Sequence, residues 1–167
     1  RYAVIQPMPG AGGNALSIID LEDQRWSARP IVETHDHSWS VIANRGSLFF
    51  LATDDGAERG RIVTIDLAAP EPGFAELVGE RADGTMSEAA LIGGRLLVSY
   101  LVDARTEIRR YLPDGTADGV VALPGIGTAG GFSGRPDDDE AFLVFTGHNA
   151  PTTIHRYDVA RVVLSIW

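Results

Sequence analysis

Ile18-Ile19-Asp20-Leu21, Thr64-Ile65-Asp66-Leu67, Arg110-Tyr111-Leu112-Pro113 and Arg156-Tyr157-Asp158-Val159 return at a constant interval of 46 residues. A second series keeps nearly the same step: the apolar runs Leu48 to Thr53, Leu96 to Leu101 and Phe142 to Gly147 begin 48 and then 46 residues apart. Internal repeats of roughly 40 to 50 residues that read as short strands are the mark of β-propeller blades. A four-stranded blade cannot bury both of its faces alone, so blades stack around an axis and form their cores between neighbours.

Working outward from the repeat, strand patterns alternate with turn chemistry along the whole chain, and no segment carries a sustained 3.6-residue apolar period. The fold expected is all-β, with propeller blades of four antiparallel strands. Residues 1–33 form a partial unit with Tyr2 to Gln6, Ala15 to Asp20 and Ala28 to Val32 as its strands and no innermost strand; units 34–80, 81–125 and 126–167 are complete. Hairpin turns fall where the blade plan needs them, at Asn44-Arg45-Gly46, Gly93-Gly94, Asp114-Gly115 and Pro136 to Asp139. Small residues, Ala89-Ala90 and Ala129-Gly130-Gly131, mark innermost strands that crowd toward a channel. The flank of the first unit, around Val4, Ile18 and Ile31, is expected to lack a neighbour.

The charge balance excludes one class of partner. With 14 basic and 23 acidic residues the chain has a net charge of −9 and no basic stripe, so no nucleic acid is expected to bind. Without cysteine it has neither disulfides nor thiolate metal sites. No apolar run nears the roughly 20 residues of a membrane helix, so no membrane partner is expected, and the protein reads as soluble, cytoplasmic or periplasmic. It starts on the strand pattern Arg1-Tyr2-Ala3-Val4-Ile5 without an initiator Met, which reads as part of something longer.

Several motifs imitate catalytic or binding signatures, and the sequence around each argues against it. Gly125-Ile126-Gly127-Thr128-Ala129-Gly130 has the letters of a dinucleotide fingerprint, but Gly131 to Asp137 cannot open the helix that would hold a pyrophosphate; a flexible connection between blades is expected. Gly10 to Ala15 is a weaker match that also leads into a strand. Gly131-Phe132-Ser133-Gly134-Arg135 approaches the nucleophile elbow, yet Arg135 replaces the second glycine and no helix follows, leaving Ser133 as a strand-end residue. His35 and His37 supply half a metal site, but only His148 and His155 could add to them, and both lie in the last unit. Asp137-Asp138-Asp139-Glu140 lacks the spaced ligands of a calcium loop and reads as a hairpin tip. Asp20, Asp66 and Asp158 close third strands, where a carboxylate accepts turn amides. Trp26, Trp39 and Trp167 are expected to pack in the core.

One run, Ala122-Leu123-Pro124-Gly125-Ile126-Gly127-Thr128-Ala129-Gly130-Gly131-Phe132-Ser133-Gly134, closely resembles a stretch typical of the propeller domain of the prolyl oligopeptidase family of serine peptidases. Arg59 to Leu67, Leu77-Val78-Gly79-Glu80, Ser99 to Ala104 and Ile154-His155-Arg156-Tyr157-Asp158 agree with it in order and spacing, so the resemblance covers essentially the whole chain. By it the chain looks like the C-terminal part of the seven-bladed propeller, without the catalytic hydrolase domain. Two departures stand out: Gly147-His148-Asn149 occupies the place of a Ser-Phe pair, and the loop Pro7 to Asn14, where some relatives carry an arginine facing the substrate cavity, offers Met8 and no cation.

The resemblance implies a parent enzyme that hydrolyses short peptides after proline with a Ser-Asp-His triad on an α/β-hydrolase domain. None of that triad falls in these residues, so no catalytic, cofactor-binding or metal-binding residue is expected here, no cofactor is implied, and no substrate-binding residue is assigned. The chain's own task is then to gate and cover the active site of its parent, its partners being the hydrolase domain and, through it, proline-containing peptides. The same propeller without an enzyme would instead be a protein-interaction scaffold. A metal- or sugar-binding propeller resting on His35 and His37 is a third possibility.

Overall fold

The structure is a computed structural model that describes residues 1–10 and 12–167, and no helix occurs among the described residues. Among the described residues fifteen strands make four antiparallel sheets. The first sheet holds β1 (Tyr2–Ile5), β2 (Leu16–Asp20) and β3 (Arg29–Val32). In the second, β4 (Trp39–Arg45), β5 (Leu48–Thr53), β6 (Arg61–Asp66) and β7 (Ala75–Val78) lie side by side in chain order. The third repeats this with β8 (Thr85–Ile92), β9 (Arg95–Val102), β10 (Arg105–Tyr111) and β11 (Ala117–Val121). The fourth does so with β12 (Gly127–Gly134), β13 (Glu140–Gly147), β14 (Ala150–Asp158) and β15 (Val163–Ile166).

The cores lie between sheets, as the repeat requires. Leu16 and Ile18 of the first sheet meet Phe49, Leu51, Val63 and Ile65 of the second. On the opposite face of β5, Phe50 joins Ile62 against Leu96, Val98 and Tyr100 of the third sheet. Leu97 and Ile108 point the other way, onto Leu143, Phe145 and Tyr157 of the fourth. Because successive strand residues face opposite sides, β5 and β9 bury both faces, which is why each reads as a near-continuous apolar run rather than an alternation. In β13 only one face is covered: Ala141, Leu143 and Phe145 are buried while Val144 is exposed.

Local chemistry sets the connections. Gly93 and Gly94 turn from β8 to β9 with φ of 55° and 69°, the left-handed pair of a tight hairpin. The hairpin expected at Asn44-Arg45-Gly46 is displaced: β4 continues through Arg45, paired with Leu48, and the turn is Gly46-Ser47. At Gly115 (φ 85°) an added Cβ would stand 2.3 Å from the Leu77 carbonyl oxygen, so only glycine lets this turn close against β7 of the neighbouring sheet.

Other expectations are corrected. Trp39 is buried at 5% exposure, but Trp26 is 66% and Trp167 72% exposed, so two of the three tryptophans lie outside the core. Gly127 to Gly130 belong to β12 and are not a flexible connection; they pair with Gly147 to Val144. Ile18 and Ile31 pack toward the second sheet, so they are not the flank left without a neighbour, whereas Val4 is exposed.

Candidate functional site

β4 starts at Trp39 because three contacts fix the chain entering it. The Ser38 amide donates to Asp54 Oδ1 at 2.8 Å, the Trp39 amide to Asn14 Oδ1 at 2.8 Å, and Gln6 Nε2 to the Trp39 carbonyl at 2.7 Å. The Asn14 amide reaches the His37 carbonyl at 2.9 Å, and Gly13 lies so close to His37 that any side chain would collide with that backbone. Asn14 thus clips the β1–β2 loop of the first sheet onto the second, and for that it is buried. In the same way the β5–β6 loop clips the second sheet onto the third: the Met86 amide donates to the Arg59 carbonyl at 2.8 Å, and the Arg59 guanidinium donates to the Ala82 carbonyl.

These clips leave a cleft of about 620 Å³ at one end of the inner strands. Its walls come from the β1–β2 loop, the beginnings of β4 and β8, and the β5–β6 loop. Met8, Trp39, Ile42 and Met86 provide apolar surface, while Asp54, Glu58 and Glu88 provide carboxylates. At the rim the His37 ring lies between two acids, Nδ1 3.4 Å from Asp54 and Nε2 3.4 Å from Asp55.

Glu88 extends the site to the fourth sheet. Its Oε2 accepts the Gly131 amide at 2.8 Å and its Oε1 the Phe132 amide at 3.0 Å, where a bulge in β12 and the φ of 70° at Gly131 turn both amides outward. Thr106 Oγ1 accepts the Ala129 amide at 3.0 Å and returns a bond to the Ala129 carbonyl at 3.3 Å. Deeper between these sheets, Arg110 donates to Tyr157 Oη at 2.8 Å and to Asp118 Oδ2 at 2.7 Å, and Arg95 reaches the same Asp118 oxygen at 2.7 Å. Burial pulls the Asp118 carboxyl upward, but Arg95 and Arg110 outweigh it and hold it below the ordinary aspartate value.

The residues singled out by sequence fall mostly elsewhere. His37 reaches the cleft rim, whereas His155 is buried beside Thr153 Oγ1 at 2.8 Å and His148 is exposed. Among the described residues no group of three or more His, Asp or Glu is placed to hold a metal. Ser133 lies near the end of β12 and makes no hydrogen bond to a histidine among the described residues. Asp137 to Asp139 lie in the β12–β13 turn and Glu140 opens β13, at the end of the sheets opposite the cleft. The weaker glycine match runs through Ala11, which lies outside the described residues. Asp20, Asp66 and Asp158 accept turn amides from Glu22, Ala68 and Arg161 at 3.1, 3.0 and 2.8 Å, the structural part expected of them. Sequence reasoning missed Glu88 and Asn14; the one available signal was a carboxylate beside Ala89-Ala90 on an innermost strand, where small residues predominate.

Comparison with known proteins gives a consistent result. The family model described as the N-terminal β-propeller domain of prolyl oligopeptidase matches residues 1–167. A prolyl endopeptidase of Elizabethkingia miricola is 29% identical over 160 residues, covering 95% of this chain and 22% of that protein. The dual function macrocyclase-peptidase POPB of Amanita bisporigera is 30% identical over 131 residues, covering 78% of this chain and 18% of that protein. A chain from a structural and mechanistic study of two prolyl endopeptidases superimposes with a TM-score of 0.91 at 28% identity, over 99% of this chain and 24% of that one. Prolyl oligopeptidase B from Galerina marginata gives a TM-score of 0.90 over 99% of this chain and 24% of that one, at 24% identity, a likeness of fold. This chain therefore spans about a fifth of the length of the curated relatives it matches. The match is to the family's N-terminal propeller domain, which corrects the expectation of a C-terminal part of the propeller: nothing in it sets the chain at that end.

Proposed function

This chain belongs to the prolyl oligopeptidase family as a portion of its N-terminal β-propeller domain, and from that membership we propose that it gates and covers the active site of a serine peptidase that cleaves short peptides after proline. The observation that carries the proposal is the cleft at one end of the inner strands, bordered by loops from neighbouring sheets that are clipped together by Asn14 and Arg59. A stack of sheets whose cores lie between neighbours keeps such a mouth at a fixed width, so it admits an extended peptide and turns away a folded protein. Gating requires no reacting group from the propeller: the chain contributes walls and polar contacts, and the chemistry belongs to an attached α/β-hydrolase domain.

Two assays test this together. The isolated chain is expected to leave a chromogenic glycyl-prolyl substrate intact, with Ser133→Ala making no difference. The parent polypeptide is expected to cleave a proline-containing octapeptide at least 100-fold faster, by kcat/KM, than the same segment displayed on a folded protein, a selection of about 2.7 kcal/mol. Equal rates on the two would overturn gating, and a parent without any peptidase activity would favour an interaction scaffold.

A further inference from the structure

The cleft has a chemical bias that gating by width does not need. Among the described residues three carboxylates line it, Asp54, Glu58 and Glu88, against a single guanidinium, that of Arg59, with the His37 ring at the rim 3.4 Å from Asp54 and from Asp55. The Arg59 guanidinium donates to the Ala82 carbonyl on the segment joining the second and third sheets, which ties it down. Glu88 accepts two backbone amides and forms no ion pair among the described residues. Asp54 uses Oδ1 for the Ser38 amide, leaving Oδ2 without a hydrogen bond among the described residues. Glu58 is exposed and forms no ion pair among the described residues. Beside these acids stand Met8, which is exposed, and Ile42 and Met86, which are partly buried, making an apolar floor next to a negative wall. A concave site with low-dielectric walls concentrates the field of such charges.

We propose that this cleft binds cationic peptide segments. A lysine or arginine head group sits at Glu58 and Asp54, and its aliphatic stem, with an adjacent apolar residue, lies along Met8, Ile42 and Met86. Long basic side chains suit this surface because they can bury the stem and keep the charge at the rim. The proposal rests on the peptide-gating reading and adds to it a substrate class: among proline-containing peptides, the basic ones are preferred at the mouth.

The test uses the chain itself, without any peptidase, so a failure here and a failure of gating show up in separate measurements. A fluorescein-labelled octapeptide with two lysines, two leucines and a proline is titrated by anisotropy against a twin carrying glutamates in place of the lysines, at 20 mM and 500 mM salt. The lysine peptide is expected to bind at least tenfold more tightly at low salt, and the gap is expected to close toward twofold at high salt, where screening is strong. Glu58→Gln should weaken the lysine peptide about two- to fivefold. Asp137→Asn makes the same change of net charge at the opposite end and should alter affinity less than 1.3-fold. Met86→Ser should weaken both peptides. Equal affinity for the two peptides at low salt, no measurable binding of either, or equal effects of Glu58→Gln and Asp137→Asn would each overturn the proposal.

Discussion

Replacing Tyr157 by Phe tests whether neighbouring sheets are held together by more than apolar contact. Tyr157 is 0% exposed and Arg110 is 4% exposed, and they meet across the interface between the fourth and third sheets. Arg110 Nη1 donates to Tyr157 Oη at 2.8 Å, Nη2 donates to Asp118, and the buried Nε has no partner among the described residues. Removing only the hydroxyl keeps the ring and its packing, so the cavity contribution is small. What is lost is a hydrogen bond to a charged donor, worth about 1.5 to 3 kcal/mol, at a guanidinium that already has one unsatisfied N–H. In a stacked array, unit and interface contributions add, so the loss should fall on the stability of the fourth unit. With a urea slope of about 2 kcal/mol per molar, the midpoint of unfolding is expected to drop by about 0.8 to 1.5 M without a change in slope. Repeating the substitution in an Arg110→Met background isolates the pair, and there it should cost under about 0.5 kcal/mol. A midpoint unchanged by Tyr157→Phe, or equal losses in both backgrounds, would refute the reasoning.

Three further outcomes follow from single positions. Ser99 is fully buried with a hydroxyl that finds no partner among the described residues, so Ser99→Ala should be neutral or raise stability by up to about 1 kcal/mol, read as a urea midpoint at or above wild type. Gly115→Ala sets a Cβ against the Leu77 carbonyl at positive φ and should cost about 2 to 4 kcal/mol, seen as a lower thermal midpoint; a change below about 0.5 kcal/mol would contradict the close approach. The carboxyl of Asp20 is held below the ordinary aspartate value chiefly by Arg1, that of Asp66 by Ser47 and that of Asp158 by the Arg161 amide. With folded values below unfolded ones, their contribution is present above the unfolded value near 3.9 and lost as pH falls through the folded values, so urea midpoints should decline below about pH 4; a midpoint that rises there would contradict the sign.

The architecture was legible because it is written in local, repeated chemistry. The 46-residue interval and the Asp-closed strands gave the four sheets, and the apolar runs at Leu48 to Ala52 and Leu96 to Tyr100, the second broken only by Ser99, reflect strands covered on both faces. The cleft was much less legible, since its walls come from residues more than 80 positions apart, Gln6 at one extreme and Ala89 at the other. The Arg110–Tyr157 and Glu88–Gly131 bonds join residues 47 and 43 positions apart across an interface, and no pattern within either strand points to its partner. Trp26 and Trp167 were misjudged because aromatic size argues for burial only where a neighbouring sheet covers the residue, and none covers these. Ala129 to Gly131 were rightly set on an innermost strand, but the glycine run from Gly127 was also read as a connection because glycine is a weak strand former; here the close inner position, where β10 and β8 approach β12, favours residues without bulk.

The most direct test of the central claim is site-specific photo-crosslinking in the parent polypeptide, with a benzophenone amino acid placed at Met8, on the exposed rim of the cleft, or at Asp137, at the opposite end of the sheets. If the cleft end covers the active site, the Met8 probe forms cross-links to the peptidase domain that a bound active-site inhibitor alters, and the Asp137 probe forms none. Cross-links to that domain from Asp137 and not from Met8 would contradict the account.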